Sequence, residues 1–513
     1  MRSLLRIIAF MSIWISAAAC RADSDIGQGG GELPEPVISA STTISPERAL
    51  AELGAALDAM YPQTRGHSRK TYSRQNLVVC GGGATRSEST AGMPDTLAYV
   101  VNFDNSEGFA VLGAQQGLSP VYALTESGSM DVEKFQSLLE SEYESLHDIY
   151  IKNDYVEDDD ICDCGYTGDG EHECIGDDED DIIFEEDEDM PIRLTAHSVA
   201  DDMLIFERNY HMIQNIRLDQ NRPAASYSTV ISFEWKYTDI VEPLLENDWW
   251  HQRSPFNDRC PEGCPAGCVV IATAHIMAYN QIPAQPTFGG MKCDWELMKT
   301  EPNLDENGNI IKTPETEKQF PQLAAMCYEL GRSNNCNVDY SSNGSSALAT
   351  GAKRTLQNYG FRNVTKRTGF GSKNQNRAAN SILAGKPVYL GAQGKEFSAK
   401  TKQWTAAGHA FVLDGYVERY YERVDKIYYP DGTSQKYRTT STPEKMIHIV
   451  WGWGNKNIPK KNGVSRNGYF KLSDDIRTNH RYNNWDSKPE AGQDYGKTSY
   501  RFDWGFRMIT YDI

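Results

Sequence analysis

The sequence predicts an α+β protein whose main domain divides into a helical lobe and an antiparallel β-sheet lobe. Two observations inside residues 229–513 predict it. Helical stretches come first, "CVVIATAHIMAYNQI" and "FPQLAAMCYELGRS". Strand-length runs follow, "KPVYLGAQ", "GHAFVLDGYV", "MIHIVWGWGN" and "NGYFKLS", separated by Gly-, Asn- and Pro-containing turns. A third observation is a smaller mixed unit upstream, at residues 39–152. A chain of 513 residues is long enough for two or three cores, so no metal or disulfide is needed to hold it together.

In chain order, residues 1–20 read as an export signal. Arg2 and Arg6 flank the start of an apolar run that is short for a membrane span and ends in small residues before Cys20. This resembles a bacterial lipoprotein signal, with Ala17 where a larger aliphatic residue is usual, and cleavage after an A-x-A site is the other reading. Residues 21–38 form a Gly/Pro/Asp tether. In 39–152, Ser45 caps a helix, "TLAYVVNFDNSEGFAVLGA" gives two strands around a turn, and "VEKFQSLLESEYESLHDIYI" is an amphipathic helix. Residues 190–228 are a polar connector with one helical stretch, "DDMLIFERNYHMIQNI".

Residues 153–189 are an acidic loop that carries most of the formal charge of −20. Nineteen Asp and Glu fall between 154 and 189, and outside them 52 acidic residues face 51 basic ones. With no basic stripe, nucleic acid is excluded as a partner. Cys162, Cys164, Cys174 and His172 crowd into the loop, but their spacing matches neither a zinc ribbon nor an EF-hand, so it reads as a solvated segment.

The chemistry concentrates in "RCPEGCPAGCVVIATAHIMAYNQIP", where Cys260, Cys264 and Cys268 stand at four-residue steps. Those gaps, with Pro261 and Pro265 between the thiols, suit neither an iron–sulfur cluster nor zinc. No metal and no cofactor is expected. Cys268 is different because it follows Ala266 and Gly267 and opens a helix that Pro283 stops. Unpaired N–H groups and the dipole at a helix N-terminus stabilise a thiolate, and the cysteine's own N–H can donate to an oxyanion. The same context also fits a buried structural cysteine, and local chemistry does not choose between them. A nucleophile needs a base. His275 lies two turns along the same helix, roughly 10 Å away, too far for proton transfer. His251 falls in a loop and His448 in a strand beside a Trp-rich turn, so His409, in "TAAGHAFVLDGY", is the better candidate.

"AGCVVIATAHIMAYNQIP", "GHAFVLDGY" and "HIVWGWGN…NGYFKL", with "HQRSPFN" before and "VDYSSNGSSA" after the cysteine, resemble the streptopain family of papain-like cysteine peptidases. The resemblance covers residues 229–513 and implies a papain-like two-lobed catalytic domain. It makes Cys268 the nucleophile and His409 the general base. It places Gln252 in the oxyanion hole and Trp451 against the imidazole. It lines the cleft with Ser341, Ser342, Gly344, Ser345, Gly408 and Trp453. By the same resemblance, 39–152 is an inhibitory propeptide domain, removed by cleavage in the 190–228 connector.

The implied protein is a secreted cysteine endopeptidase made as a zymogen, acting on protein or peptide substrates. Its own propeptide is the inhibitor, and a membrane is met only through a lipid anchor. The alternatives are a papain-like amidase or transferase and a catalytically silent surface binding protein. Two departures stand out. Val450 occupies the position before the first Trp of the turn, where the family commonly has Asn, so no amide there can orient the imidazole. Residues 418–445 are longer than the family's connection and read as an added hairpin around a Pro-Asp-Gly turn.

Overall fold

A computed structural model describes residues 43–61, 70–81, 96–150, 195–196, 198–204, 228–305, 310–341, 344–398, 403–429, 433–454, 467–471 and 500–513. The signal, tether and acidic loop, most of the connector, Ser342 and the Pro430–Gly432 turn lie outside them.

The N-terminal unit begins with α1 (Pro46–Met60). Ser45 caps it by accepting from the Arg48 N–H, and Leu53, Ala56 and Met60 turn to the core. Strands β1 (Leu77–Cys80), β2 (Ala98–Asn102), β3 (Phe109–Gly113) and β4 (Val121–Thr125) follow as an antiparallel meander, closed by α2 (Val132–Tyr150).

The larger domain opens with β5 (Ser228–Val241) and then gathers its helices. These are α3 (Cys268–Asn280), α4 (Trp295–Lys299), α5 (Pro314–Gly331), α6 (Ala349–Asn358) and, after β8, α7 (Ser372–Leu383), with the small β6 (Thr287–Phe288) and β7 (Met291–Lys292) pair between α3 and α4. The strands are β8 (Arg362–Thr368), β9 (Val388–Ser398), β10 (Gln403–Tyr428), β11 (Ser434–Thr440), β12 (Glu444–Val450), β13 (Gly468–Lys471) and β14 (Tyr500–Asp512). The α+β class, with a helical layer against an antiparallel sheet, is the one the sequence predicts.

The two units share a sheet. Among the described residues, its order is β1-β2-β3-β4-β13-β12-β10-β9-β14-β8, with β5 and β11 pairing to β10. The seam is β4 against β13, registered as Thr125 on Gly468, Leu124 on Tyr469 and Ala123 on Phe470. Gly468 is required there, because a Cβ at that position would run into the Leu124 carbonyl. The 26-residue β10 has two sets of partners. Its first half pairs with β9 and β12, and its second half with β5 and β11, which confirms the expected hairpin as an antiparallel pair.

Burial divides around this sheet. One core holds the helical layer, including Cys268, Ile271, Leu323, Met326 and Leu356, with Ala410, Val412 and Val450 of the sheet. A second core runs from the N-terminal unit (Phe109, Tyr122, Phe135, Leu139) to Phe411, Trp451 and Phe470 of the larger domain. The connector joins it too. Residues 195–196 and 198–204 are helical, and Ala196, Val199, Ala200, Met203 and Leu204 are all buried in that shared core. Asp202 of this helix pairs with Lys471 and accepts from the Tyr122 hydroxyl at 2.8 Å, so it touches both units.

Candidate active site

Gly267 precedes α3 with φ of +94°, a conformation that suits glycine and turns the chain so that Cys268 begins the helix. No side chain caps this end, so no side-chain oxygen takes up the first-turn N–H groups beside Cys268. Residues 268–278 are buried without exception, which is why the α3 sequence shows no polar face. The helix ends at Gln281 in the left-handed region, two residues before Pro283.

Two neighbouring segments are tied to this loop. The Ala266 N–H donates to the Gln252 backbone carbonyl at 2.9 Å, which ties the Gln252 segment to the cysteine loop. The Ser345 hydroxyl donates to the Pro265 carbonyl at 2.6 Å. Ser345 is buried, so this predicted cleft residue braces the Cys268 loop, while Gly344 is half-buried and Ser341 exposed. Gly408 is buried on β10 opposite Gln393 of β9.

His409, one residue further along β10, is 1% exposed. Its Nε2 lies 2.7 Å from the Trp451 carbonyl. A carbonyl only accepts, so Nε2 carries the proton. Burial pushes the imidazole pKa down to about 4. Neutral and protonated on Nε2, the ring keeps its lone pair on Nδ1, the tautomer a general base needs. The ring stacks on Trp453 at 4.7 Å, with Phe411 and Trp451 at 6.1 and 6.4 Å. Trp453, assigned from the resemblance to substrate, is therefore the nearest of these rings to His409, ahead of Trp451.

The gap left by Val450 is filled from elsewhere. The Trp451 N–H donates to Asn467 Oδ1 at 3.0 Å, so an amide 16 residues downstream holds the residue whose carbonyl holds His409. The backbone carbonyl of Asn467 accepts from the Glu126 N–H at 2.9 Å, across the seam. The turn is also pinned to the cysteine side. Gly454 N–H donates to the Trp250 carbonyl at 3.0 Å, and a Cβ on Gly452 would lie 3.1 Å from Ile271 of α3.

The other candidates have structural places. His275 is fully buried and stacked on Trp250 at 5.3 Å, and desolvation pushes its pKa to about 3. His251 accepts from the Arg253 N–H and packs on Phe256. Cys260 and Cys264 are free thiols, and burial pushes Cys260 up to about 11, away from reactivity. Among the described residues, no group of His, Cys, Asp and Glu is arranged to hold a metal ion.

His448 has a role that its sequence context did not disclose. Its Nδ1 lies 2.6 Å from Asp414 Oδ1, and its Nε2 is 3.3 Å from Glu126 of the N-terminal unit. Burial alone would lower its pKa, but the Asp414 and Glu126 charges raise it to about 10. Asp414 Oδ2 accepts from the Leu245 N–H at 3.0 Å. One signal was readable: an aspartate inside the apolar run "AFVLDGY" needs a buried partner.

The Peptidase C10 family matches residues 250–457. That span holds Gln252, Cys268, His409 and Trp451. No curated protein sequence matches the chain. Among solved structures, a fragment of prointerpain A from Prevotella intermedia is 15% identical with a TM-score of 0.42, over 85% of this chain and 98% of that one. The motifs around Cys268 and His409 and the family match fall on the same residues, and over 250–457 this chain carries a Peptidase C10 domain, of the streptopain family of cysteine peptidases.

Proposed function

We propose that the protein is an exported cysteine endopeptidase made as a zymogen, with Cys268 as nucleophile and His409 as general base. The observation that carries this reading is the preparation of both groups within the C10 span. Cys268 opens an uncapped buried helix, and the Trp451 carbonyl fixes His409 as the tautomer with a free Nδ1. In the reaction, the Cys268 proton passes to His409 Nδ1 and the thiolate attacks the peptide carbonyl. The Cys268 N–H and the Gln252 amide hold the oxyanion. His409 then protonates the leaving amine, and water hydrolyses the thioester to release the acid and restore the thiol.

The N-terminal unit is the inhibitory propeptide in this reading. Its support is the shared sheet and the shared core, which extend from the unit's interior to Phe411 and Trp451 beside His409. Both reactive groups are out of solvent, Cys268 at 3% and His409 at 1% exposure. Cleavage falls in the connector outside the helical residues 198–204, where Val199, Ala200, Met203 and Leu204 are buried. Export rests on the signal, and the lipid anchor on Cys20. Among the described residues, no helix is long and apolar enough to cross a membrane.

The test pairs labelling with a substrate panel. After activation, an epoxide that alkylates papain-type thiols should label Cys268, and an unfolded protein should be hydrolysed in preference to small amides. Failure to label would leave a silent scaffold. Labelling with turnover of small amides alone would mean an amidase or transferase.

A further inference from the structure

The added hairpin has a contact that neither the catalytic reading nor the resemblance uses. Arg419 sits on β10 where the strand leaves the main sheet, and it is fully buried. Its Nη2 donates to the Ser119 hydroxyl at 2.5 Å and to the Val121 carbonyl at 2.6 Å, both in the N-terminal unit. Its Nε meets Glu444 of β12 at 3.1 Å, and its guanidinium lies 5.3 Å from the Trp235 ring of β5. A guanidinium taken wholly out of water is tolerated only when its donors and charge are matched, and here part of the match comes from the other unit.

The contact continues outward along the arm made by β5, β10 and β11. The Phe233 carbonyl of β5 accepts from Arg48 of α1 at 3.2 Å. The Phe233 ring lies under Gly117, where a Cβ would sit 3.2 Å from it. Phe233 and Trp235 both pack edge-on against Tyr421 of β10, which stiffens the arm. The arm therefore offers a buried cation, a backbone acceptor and an aromatic face, and the turn at 115–120 with α1 fills all three.

We propose that this arm is a docking surface for the protein's own N-terminal unit, anchored by Arg419. It holds that unit in place without a covalent link once the connector has been cut. Cutting and release are then separate events, and the length of hairpin beyond the family's connection serves the second. The proposal rests on the zymogen reading for its biological sense, but its test needs no peptidase activity.

The experiment uses the full chain with Cys268→Ala, carrying a site-specific protease sequence in the connector between residues 205 and 227. After cutting, the two pieces should elute from gel filtration as one particle. In Arg419→Met, they should dissociate with an affinity on the order of 10- to 100-fold weaker, the effect of losing a charged set of hydrogen bonds. Phe233→Ala, at a half-buried position, should weaken the complex in the same direction should Arg419→Met fail to fold when uncut. Pieces that separate without substitution, or that stay equally tight in a folded Arg419→Met or in Phe233→Ala, would overturn the proposal. If the cut Cys268→Ala pieces stay docked but the unsubstituted chain, incubated alone, never processes itself, the zymogen reading alone is refuted.

Discussion

His409 and His448 lie on paired strands, β10 and β12, and each is 1% exposed. Yet His409 is pushed down to about 4 and His448 up to about 10. Burial is common to both, so it cannot be the discriminator. His409 has aromatic rings and one backbone carbonyl around it but no carboxylate, and the carbonyl's pull toward the charged ring does not offset desolvation. His448 has Asp414 on one nitrogen and Glu126 near the other. The partners, rather than the depth, keep one histidine neutral, as the proposed proton transfer needs, and leave the other charged between two units.

The largest effect should come from breaking the charged site. His448→Ala leaves Asp414 and Glu126 facing each other without a cation, and should cost about 3–5 kcal/mol in chemical denaturation of the full chain. Adding Glu126→Gln should recover part of that loss. A cost near zero would mean that His448 is not charged in the folded chain. A second prediction concerns the other ring. Trp453→Ala admits water to His409, and its pKa should rise from about 4 toward 6.5, read by NMR titration of the imidazole.

The pH limbs separate the two sites further. His448, raised, contributes stability that is full below its ordinary value near 6.5 and is lost as pH climbs through about 10. His409, lowered, works the other way. Its neutral folded form contributes fully above 6.5 and loses that contribution as pH falls through about 4. The full chain's melting temperature should thus decline on both sides of pH 6.5, with His448→Gln flattening the alkaline limb and His409→Phe the acid one. The smallest effect belongs to the link between the sites. Asn467→Ala removes the acceptor of the Trp451 N–H and should cost about 1 kcal/mol. Its sharper readout is a His409 pKa that changes while that of His448 does not.

Much of this arrangement was legible in the residues. Ser45 as a cap, the turn at Asn105–Ser106, the helix from Cys268 and the C-terminal strands follow from periodicity and local turn chemistry. The exclusion of His275 followed from helix rise alone. The union of the two sheets was not legible, because edge pairing between β4 and β13 leaves no periodic trace, and Gly468 looks like any strand glycine until its neighbour is known. The same holds for Asn467 and Arg419, whose partners lie far away in sequence. Val450 suggested a missing orienting amide. The fold supplies one from Asn467, just before β13, acting through the Trp451 backbone carbonyl that no side-chain pattern encodes.

The central claim is that Cys268, served by His409, cuts the connector of its own chain. The direct measurement is to incubate the purified full chain beside its Cys268→Ala variant, without added protease, and follow both by mass spectrometry. The account predicts that the unsubstituted chain converts to a product beginning within or just after residues 205–227, while Cys268→Ala stays whole. Equal conversion of both, or of neither under conditions where the epoxide labels Cys268, would contradict it.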